Sequence, residues 1–535
     1  MMSGKWMSNT AVLEENQVKL PKFDQVLMRK KTVERPQWAH LGGGNLYRCF
    51  HAKIAQDLIN SGELETGVVV FDTFGKELIE KGYHANDNQT LSVILKADGS
   101  VDKELIASTA EAHYFNASNH DSVVRMKEVF QNPSLQFVTV TITEKGYAVK
   151  DVQGNLTPEA ESDIEVGPNF RQLKTTMGQL AYLMYCRYKS SAAPLALVST
   201  DNFSHNGQRF KDSLLVIIQG WIDKWNLNVD FLWYLSDESR VAFPYSMIDR
   251  ITPLPSPSIA KQLIKDGISG MTVDNPSFAA FVNTEETHYL VIEDKFPNGR
   301  PKLEDAGVYL ADRETVNNAD LMKVCSCLNP LHTSLAIFGC LLGFNKIYKE
   351  MQDEDLSELV KRVGYVEGLP VVVNPKIIDP KQFIDEVINL RLVNPNIPDA
   401  PQRIASDTSQ KVSIRYGETI KAYMSSDNYE TSELTFIPLT LAAWLRYLLA
   451  VDDDGNAMTL SPDPLLENLQ AQLASVKLGQ KVNAHEILQP ILSNDRIFGV
   501  NLYEAGIGEK IENYFTELVA GSGQVREILH RELSK

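Results

Sequence analysis

From about residue 37 to residue 289, short β-branched or apolar runs alternate with longer stretches of helical period. GVVVF at 67–71, LQFVTVTI at 135–142 and PLALVS at 194–199 are separated by segments such as 172–190. That alternation predicts a mostly parallel sheet covered by helices, because parallel strands are buried on both faces and need a crossover between them. From about 319 to 535 the pattern changes, and the apolar stretches read at helical spacing: LMKVCSCL, LHTSLAIFGCLLGF, PKQFIDEVINLRL, LTLAAWLRYLLAV and PLLENLQAQLASV. An all-helical second half is expected, with the boundary in the turn-rich segment EDKFPNGRPKLEDAG at 293–307.

Composition narrows the class. A chain of 535 residues has room for at least two cores. Its 69 acidic and 52 basic residues leave a net charge of −17, and no basic patch stands out, so nucleic acid and anionic membranes are not expected partners. Five scattered cysteines make no disulfide framework, which points to a reducing compartment. The first twenty residues lack the apolar core of a secretory signal, so a cytoplasmic location is expected. No apolar run approaches the roughly 18 residues of a membrane span, and none is expected to cross a bilayer.

Three segments carry candidate chemistry. HLGGGNLYRCFHAKIAQDLI at 40–59 sets three glycines between a short apolar entry and a helical pattern. Such a loop brings backbone amides and a helix N-terminus to a pyrophosphate. Gly42 and Gly44 fit the dinucleotide fingerprint, but its third glycine would fall at Tyr47. Asp72, ending the next strand, stands where an acid takes a ribose hydroxyl pair or, equally, where one caps a turn. In VSTDNFSHNG at 198–207, Asn202 and Asn206 fall at a strand's carboxyl end, where amides can stabilise a developing anionic oxygen or make an Asx-turn. LMKVCSCLNPLHTSLA at 321–336 sets Lys323, Asn329 and His332 among apolar neighbours. Burial favours a lysine's neutral, proton-accepting form, and the alternative is a side chain that snorkels. His332 is read as a core histidine or a catalyst, and Cys325 and Cys327 as small core groups; their spacing does not suit zinc, and no metal is expected.

Taken in order, these segments resemble the long-chain, metal-independent polyol and hexonate dehydrogenases, the family of mannitol 2-dehydrogenase, fructuronate reductase and tagaturonate reductase. The resemblance rests on GGGNLYRCF (42–50), TITEKGY (141–147), STDNFSHNG (199–207), FPYSMIDRITP (243–253), IEDKFPNGRP (292–301), MKVCSCLNPLH (322–332) and NPNIPDAPQRIASDTSQK (394–411). It implies a Rossmann-type, doubly wound dinucleotide-binding domain over 1–295 and an all-helical catalytic domain over 296–535. It also implies hydride exchange with NAD, NADP not being excluded, and a sugar acid or polyol as substrate. By the same resemblance Lys323 is the acid/base, Asn202 and Asn329 donate to the reacting oxygen, and His332 holds a substrate hydroxyl. Gly42, Gly44, Asn45, Asp72 and Glu144 serve the cofactor, Arg403 and Lys411 the substrate, and Asp249 lies beside the cofactor or at the domain seam.

The chain departs from the family pattern in two places. Five residues, Val324 to Leu328, separate Lys323 from Asn329 where the family has four. At about 100° per residue a regular helix would then set Lys323 and His332 on opposite faces. An irregularity is expected: a π-bulge, or a helix start with Asn329 as N-cap and Pro330 first. Phe50 stands where mannitol dehydrogenases tend to carry histidine, which favours a sugar acid of the fructuronate/mannonate or tagaturonate/altronate kind. The alternatives are a mannitol 2-dehydrogenase-type polyol enzyme and a non-catalytic cofactor-binding sensor.

Overall fold

The computed structural model describes residues 10–151 and 153–535. The described residues form two compact units, one running up to residue 96 and over 100–317, the other made of 97–99 and 318–535.

The first unit is built on six strands: β1 (Trp38–Leu41), β2 (Val68–Asp72), β3 (Thr109–Tyr114), β4 (Phe137–Val140), β5 (Leu195–Ser199) and β6 (Val241–Ala242). All neighbours pair in parallel, in the order β3-β2-β1-β4-β5-β6. This is the doubly wound dinucleotide-binding order, whose ligand crevice opens at the carboxyl ends of β1 and β4, where the strand order reverses. The strands form because alternate residues find a core on each face. Ala39, Leu41, Val69, Phe71, Val138, Val140, Leu195 and Leu197 enter one cluster. Trp38, Val68, Val70, Phe137, Ala196 and Val198 enter the other, against α1 (Ala52–Ser61).

Two smaller sheets were not expected from the hydrophobic pattern. One joins Val18–Lys19, Val101–Ile106, Thr90–Leu95 and Phe281–Glu285; the other joins Ser246–Asp249, Tyr289–Glu293 and Tyr309–Ala311. The crossover from β5 to β6 includes the twenty-residue α2 (Asn206–Trp225).

The second unit is helical, and its two apolar axes are α3 (Asn329–Leu341) and α4 (Phe436–Tyr447). Glu367 accepts the amides of Thr435, Phe436 and Ile437, so a buried carboxylate meets the N-terminus of α4. The helical run Arg313–Leu341 corrects one expectation: with a mean hydropathy of 1.4 over its best window, it is long and apolar enough to span a membrane. That window is 83% buried inside the protein, the property of a core helix.

Candidate active site

The glycine loop leaves the carboxyl end of β1. Gly42 has φ +106°, and a Cβ there would lie 2.1 Å from the Thr141 carbonyl oxygen, so no other residue fits. Gly44 is exposed, a Cβ on it would meet nothing within 4 Å, and the helix begins at the next residue, Asn45. An open, glycine-lined approach to a helix N-terminus suits a pyrophosphate. The side-chain oxygen of Asn45 is buried and, among the described residues, has no hydrogen-bond partner. Tyr47, in place of the third glycine, is wholly buried, its ring 4.4 Å from that of His40 and its hydroxyl 2.9 Å from Thr109 Oγ1. The helix widens into a π turn over Tyr47–His51, the local answer to a bulky residue where a glycine would let helix and strand close up.

Asp72 ends β2 beside this loop. One carboxylate oxygen accepts the Gly43 amide at 3.0 Å, the other the amides of Phe74 at 2.9 Å and Gly75 at 2.5 Å. It therefore braces both turns, the structural role foreseen as the alternative, and a carboxylate still has acceptor sites for a ribose. Glu144 lies in the turn after β4, exposed and paired with Arg209.

At the carboxyl end of β5, Asn202 is exposed, whereas Asn206 is buried. The Asn206 amide donates to the carbonyls of Asp201 and Ser246 at 3.1 and 3.0 Å, and its oxygen accepts the Ser246 amide at 3.0 Å. A donor role at the reacting oxygen for Asn206 is thus overturned: it fastens the loop to strand Ser246–Asp249. Asp201, which the sequence did not single out, accepts the amides of Ile142 and Thr143 and the hydroxyl of Tyr147 at 2.7–2.9 Å. It holds the TITEKGY turn, where Thr143 has φ +62°. Desolvation raises its carboxyl above the usual range despite these donors. Asp249 is buried, paired across the sheet with Tyr289.

In the second unit, Lys323 is 2% exposed at its side chain, with Nζ 3.8 Å from Asp320 Oδ1. Met322–Cys327 is a π-helix, and the Leu328 amide donates to the Lys323 carbonyl five residues back at 3.0 Å. The irregularity expected between Lys323 and His332 is present, and α3 starts afresh at Asn329 with Pro330 in its first turn. The cap position falls to Leu328, however, not to Asn329. In a π turn the Cys325 carbonyl would receive the amide of residue 330, which a proline lacks. The Thr419 hydroxyl donates there instead, at 3.0 Å. Cys325 and Cys327 are buried thiols, the former pushed up to about 12 by desolvation, and among the described residues no group of three His, Cys, Asp or Glu is placed to hold a metal.

His332 follows on the first turn of α3. Desolvation first, then Arg391, Arg415 and Arg403, lower it to about 4 against the pull of Asp399, so at neutral pH its ring is neutral and offers one donor and one acceptor. Arg403 points Nε and one terminal nitrogen at the two oxygens of Asp399, both at 2.8 Å. That edge of the guanidinium is committed, which leaves Arg403 its other edge for a ligand. Lys411 donates to the Ser406 carbonyl, and burial lowers it below the ordinary lysine value. Arg415 and Arg391, absent from the sequence reading, join these two: Arg415 is lowered to about 10 by burial and donates to Thr333 Oγ1 on α3. Four cations thus bear on one another or on His332, in π-helices Val387–Arg391 and Ser413–Gly417 and the segment between them. Of this cluster the family resemblance had named Arg403 and Lys411, but not Asp399, Arg391 or Arg415.

A glycine loop on a doubly wound sheet, followed by a helical unit, is the arrangement of a dinucleotide-binding oxidoreductase, and the comparisons with known proteins agree that the class is one acting on a CH–OH group. The chain belongs to the mannitol dehydrogenase family: residues 36–305 match the mannitol dehydrogenase Rossmann domain and residues 316–519 the mannitol dehydrogenase C-terminal domain. It is 48% identical over 535 residues to the D-mannonate oxidoreductase of Thermotoga maritima, covering 99% of this chain and 98% of that one. Among solved structures, the Pseudomonas fluorescens mannitol 2-dehydrogenase in ternary complex with NAD and D-mannitol superposes with a TM-score of 0.70 at 24% identity, over 98% and 99% of the two chains. A D-sorbitol dehydrogenase in substrate-free form gives 0.75 at 22%, over 96% and 100%.

Proposed function

We propose that this protein is an NAD-dependent hexonate dehydrogenase that interconverts D-mannonate and D-fructuronate. The observation that carries the reading is the gathering of Arg391, Arg403 and Arg415 about His332, with Lys411 beside Arg403 and Arg415, a setting that favours an anionic sugar over a neutral one. The full-length similarity to a D-mannonate oxidoreductase supports it. A non-catalytic sensor loses its one argument, since the extra residue after Lys323 is taken up by the π turn.

In this reading Gly42, Gly44 and Asn45 hold the pyrophosphate, Asp72 favours a free ribose hydroxyl pair over a 2′-phosphate, and Glu144 lies near the cofactor. Bound nicotinamide supplies the hydride acceptor. The Lys323 amine takes the hydroxyl proton as the alcohol becomes a ketone, and returns it in reduction. Asn202 and Asn329 donate to the oxygen as charge develops on it. His332 holds a neighbouring hydroxyl, and Arg403 with Lys411 holds the carboxylate end. The five cysteines are free, in keeping with a cytoplasmic enzyme.

The test is a reductase panel of D-fructuronate, D-tagaturonate and D-fructose with NADH and NADPH. Fastest turnover is expected for D-fructuronate with NADH. Reduction of fructose alone would overturn the sugar-acid reading, and no turnover of any ketose or keto acid would return the sensor.

A further inference from the structure

Behind His332 lies a group for which the reaction as described has no use. Glu350 ends the short helix Ile347–Glu350 and is 0% exposed, and among the described residues neither carboxyl oxygen has a hydrogen-bond partner. Such a group is rare in a folded protein, because an unpaired buried carboxylate costs several kcal/mol, and a methionine or leucine would fill the space at no such cost. The room for it is specific. A Cβ at position 339 would lie 1.8 Å from Glu350 Oε1, so the carboxyl rests on α3 only because residue 339 is glycine. Gly339 follows His332 by seven residues, two turns along the same helix face. The Glu350 helix is also fastened to the cationic segment, as Ile347 donates its amide to the Asp399 carbonyl at 3.1 Å and Gln402 donates to the Phe344 carbonyl at 3.0 Å.

The titratable groups that bear on Glu350 are Asp399, from the segment before Pro401–Ile404, and Cys340, from α3. Lys349, on its own helix, donates to Gln352 instead. Desolvation, and then Asp399, push Glu350 up to about 9, while burial holds the Cys340 thiol up to about 12.

We propose that Glu350 is a positioning residue of the substrate site: an uncharged acid seated on Gly339, it leaves Asp399 as the one negative charge set against Arg403 and His332. When alkaline pH ionises it, a second negative charge enters the cationic cluster and opposes an anionic substrate there. The sign of that effect rests on the sugar-acid reading; the protonated state of Glu350 does not.

Two measurements on the full-length protein test this. Infrared difference spectra of wild type minus Glu350→Gln should show a protonated carboxyl C=O band at pH 7 that disappears on going above about pH 9. In steady-state assays of D-mannonate oxidation, wild-type KM should rise several-fold more than that of Glu350→Gln between pH 8 and pH 10. Absence of the band at pH 7 overturns the proposal whatever the substrate is. Superimposable KM profiles with the band present overturn the link to the site. Should Glu350→Gln fail to fold, Glu350→Met, which is apolar and of similar length, takes its place in both measurements. If D-mannonate is not turned over at all, the sugar-acid reading falls and the infrared arm still decides the protonation state.

Discussion

Lys323 is buried with a carboxylate 3.8 Å from its amine, and the proposed mechanism gives that amine the substrate's hydroxyl proton. Lys323→Ala is expected to lower kcat by roughly 10²–10⁴-fold, the usual worth of a positioned base, while NADH affinity by fluorescence titration stays within about twofold. Retention of a tenth of the rate would remove the lysine from the mechanism. The glycines make a second, paired prediction. Gly44→Ala meets nothing in the protein, so its melting temperature should match wild type while NADH binding weakens, because the new methyl stands where the pyrophosphate approaches. Gly42→Ala should lose stability as well, through the Thr141 carbonyl and the positive φ. If Gly44→Ala binds NADH normally, the loop is only a turn. At this scale the sequence revealed which residue types carry chemistry but not which are already occupied. Asn206 and Asn202 looked equivalent four residues apart, and only Ser246, forty positions away, decides that one amide is structural. Arg415 and Arg391 were invisible because a cation on a helix is ordinarily a solvated one.

The parallel sheet was legible because its strands are continuous apolar runs, and burial on both faces writes itself into the sequence at β2 and β5. The smaller sheets were not, since their members are short, five of the seven carry charge, and Phe281–Glu285 pairs with Thr90–Leu95 across nearly two hundred residues. The break after Lys323 was legible from counting its spacing against the pattern of the family that the chain resembles, and it leads to a test. Five intervening residues in a π turn advance the chain about as far round as four in an α-helix. Deleting Ser326 should therefore give an ordinary helix that still turns Lys323 and His332 to one side. The variant is expected to fold, with kcat within about an order of magnitude of wild type by NADH absorbance. A full loss of activity in a folded variant would mean that the π geometry itself, including the Thr419 bond to the Cys325 carbonyl, is required.

Across the whole molecule, the change from alternating runs to uniform helical spacing marked two units, although the chain partitions at 317/318, beyond the turn-rich segment at 293–307. A net charge of −17 concealed the cationic cluster, because charge totals say nothing of four side chains gathered by folding. The same holds for the ten histidines, of which the structure buries two, His40 and His51, completely. His51 is wholly buried, its Nε2 is 2.9 Å from Thr200 Oγ1, and desolvation lowers it from its ordinary value to about 3. His40 beside it is lowered as well, by burial and then by His51. The unfolded chain protonates these rings near pH 6.5 and the folded one does not, so between pH 6.5 and about 3 the unfolded state binds more protons. The stability that depends on a neutral His51 is therefore complete above pH 6.5 and is lost as pH falls toward 3. Glu350 acts in the opposite sense, holding a proton in the folded state from about 4.5 to 9, so the total pH curve mixes both and a difference measurement isolates the histidine. His51→Asn keeps a polar group near Thr200 but cannot titrate. Measured by urea midpoint, wild type should lead the variant at pH 7.5 and lose ground steadily from pH 6.5 to pH 4.5. A gap that stays constant over that range would mean that His51 takes up its proton equally in both states, and that the buried pair beneath the glycine loop is no source of acid sensitivity.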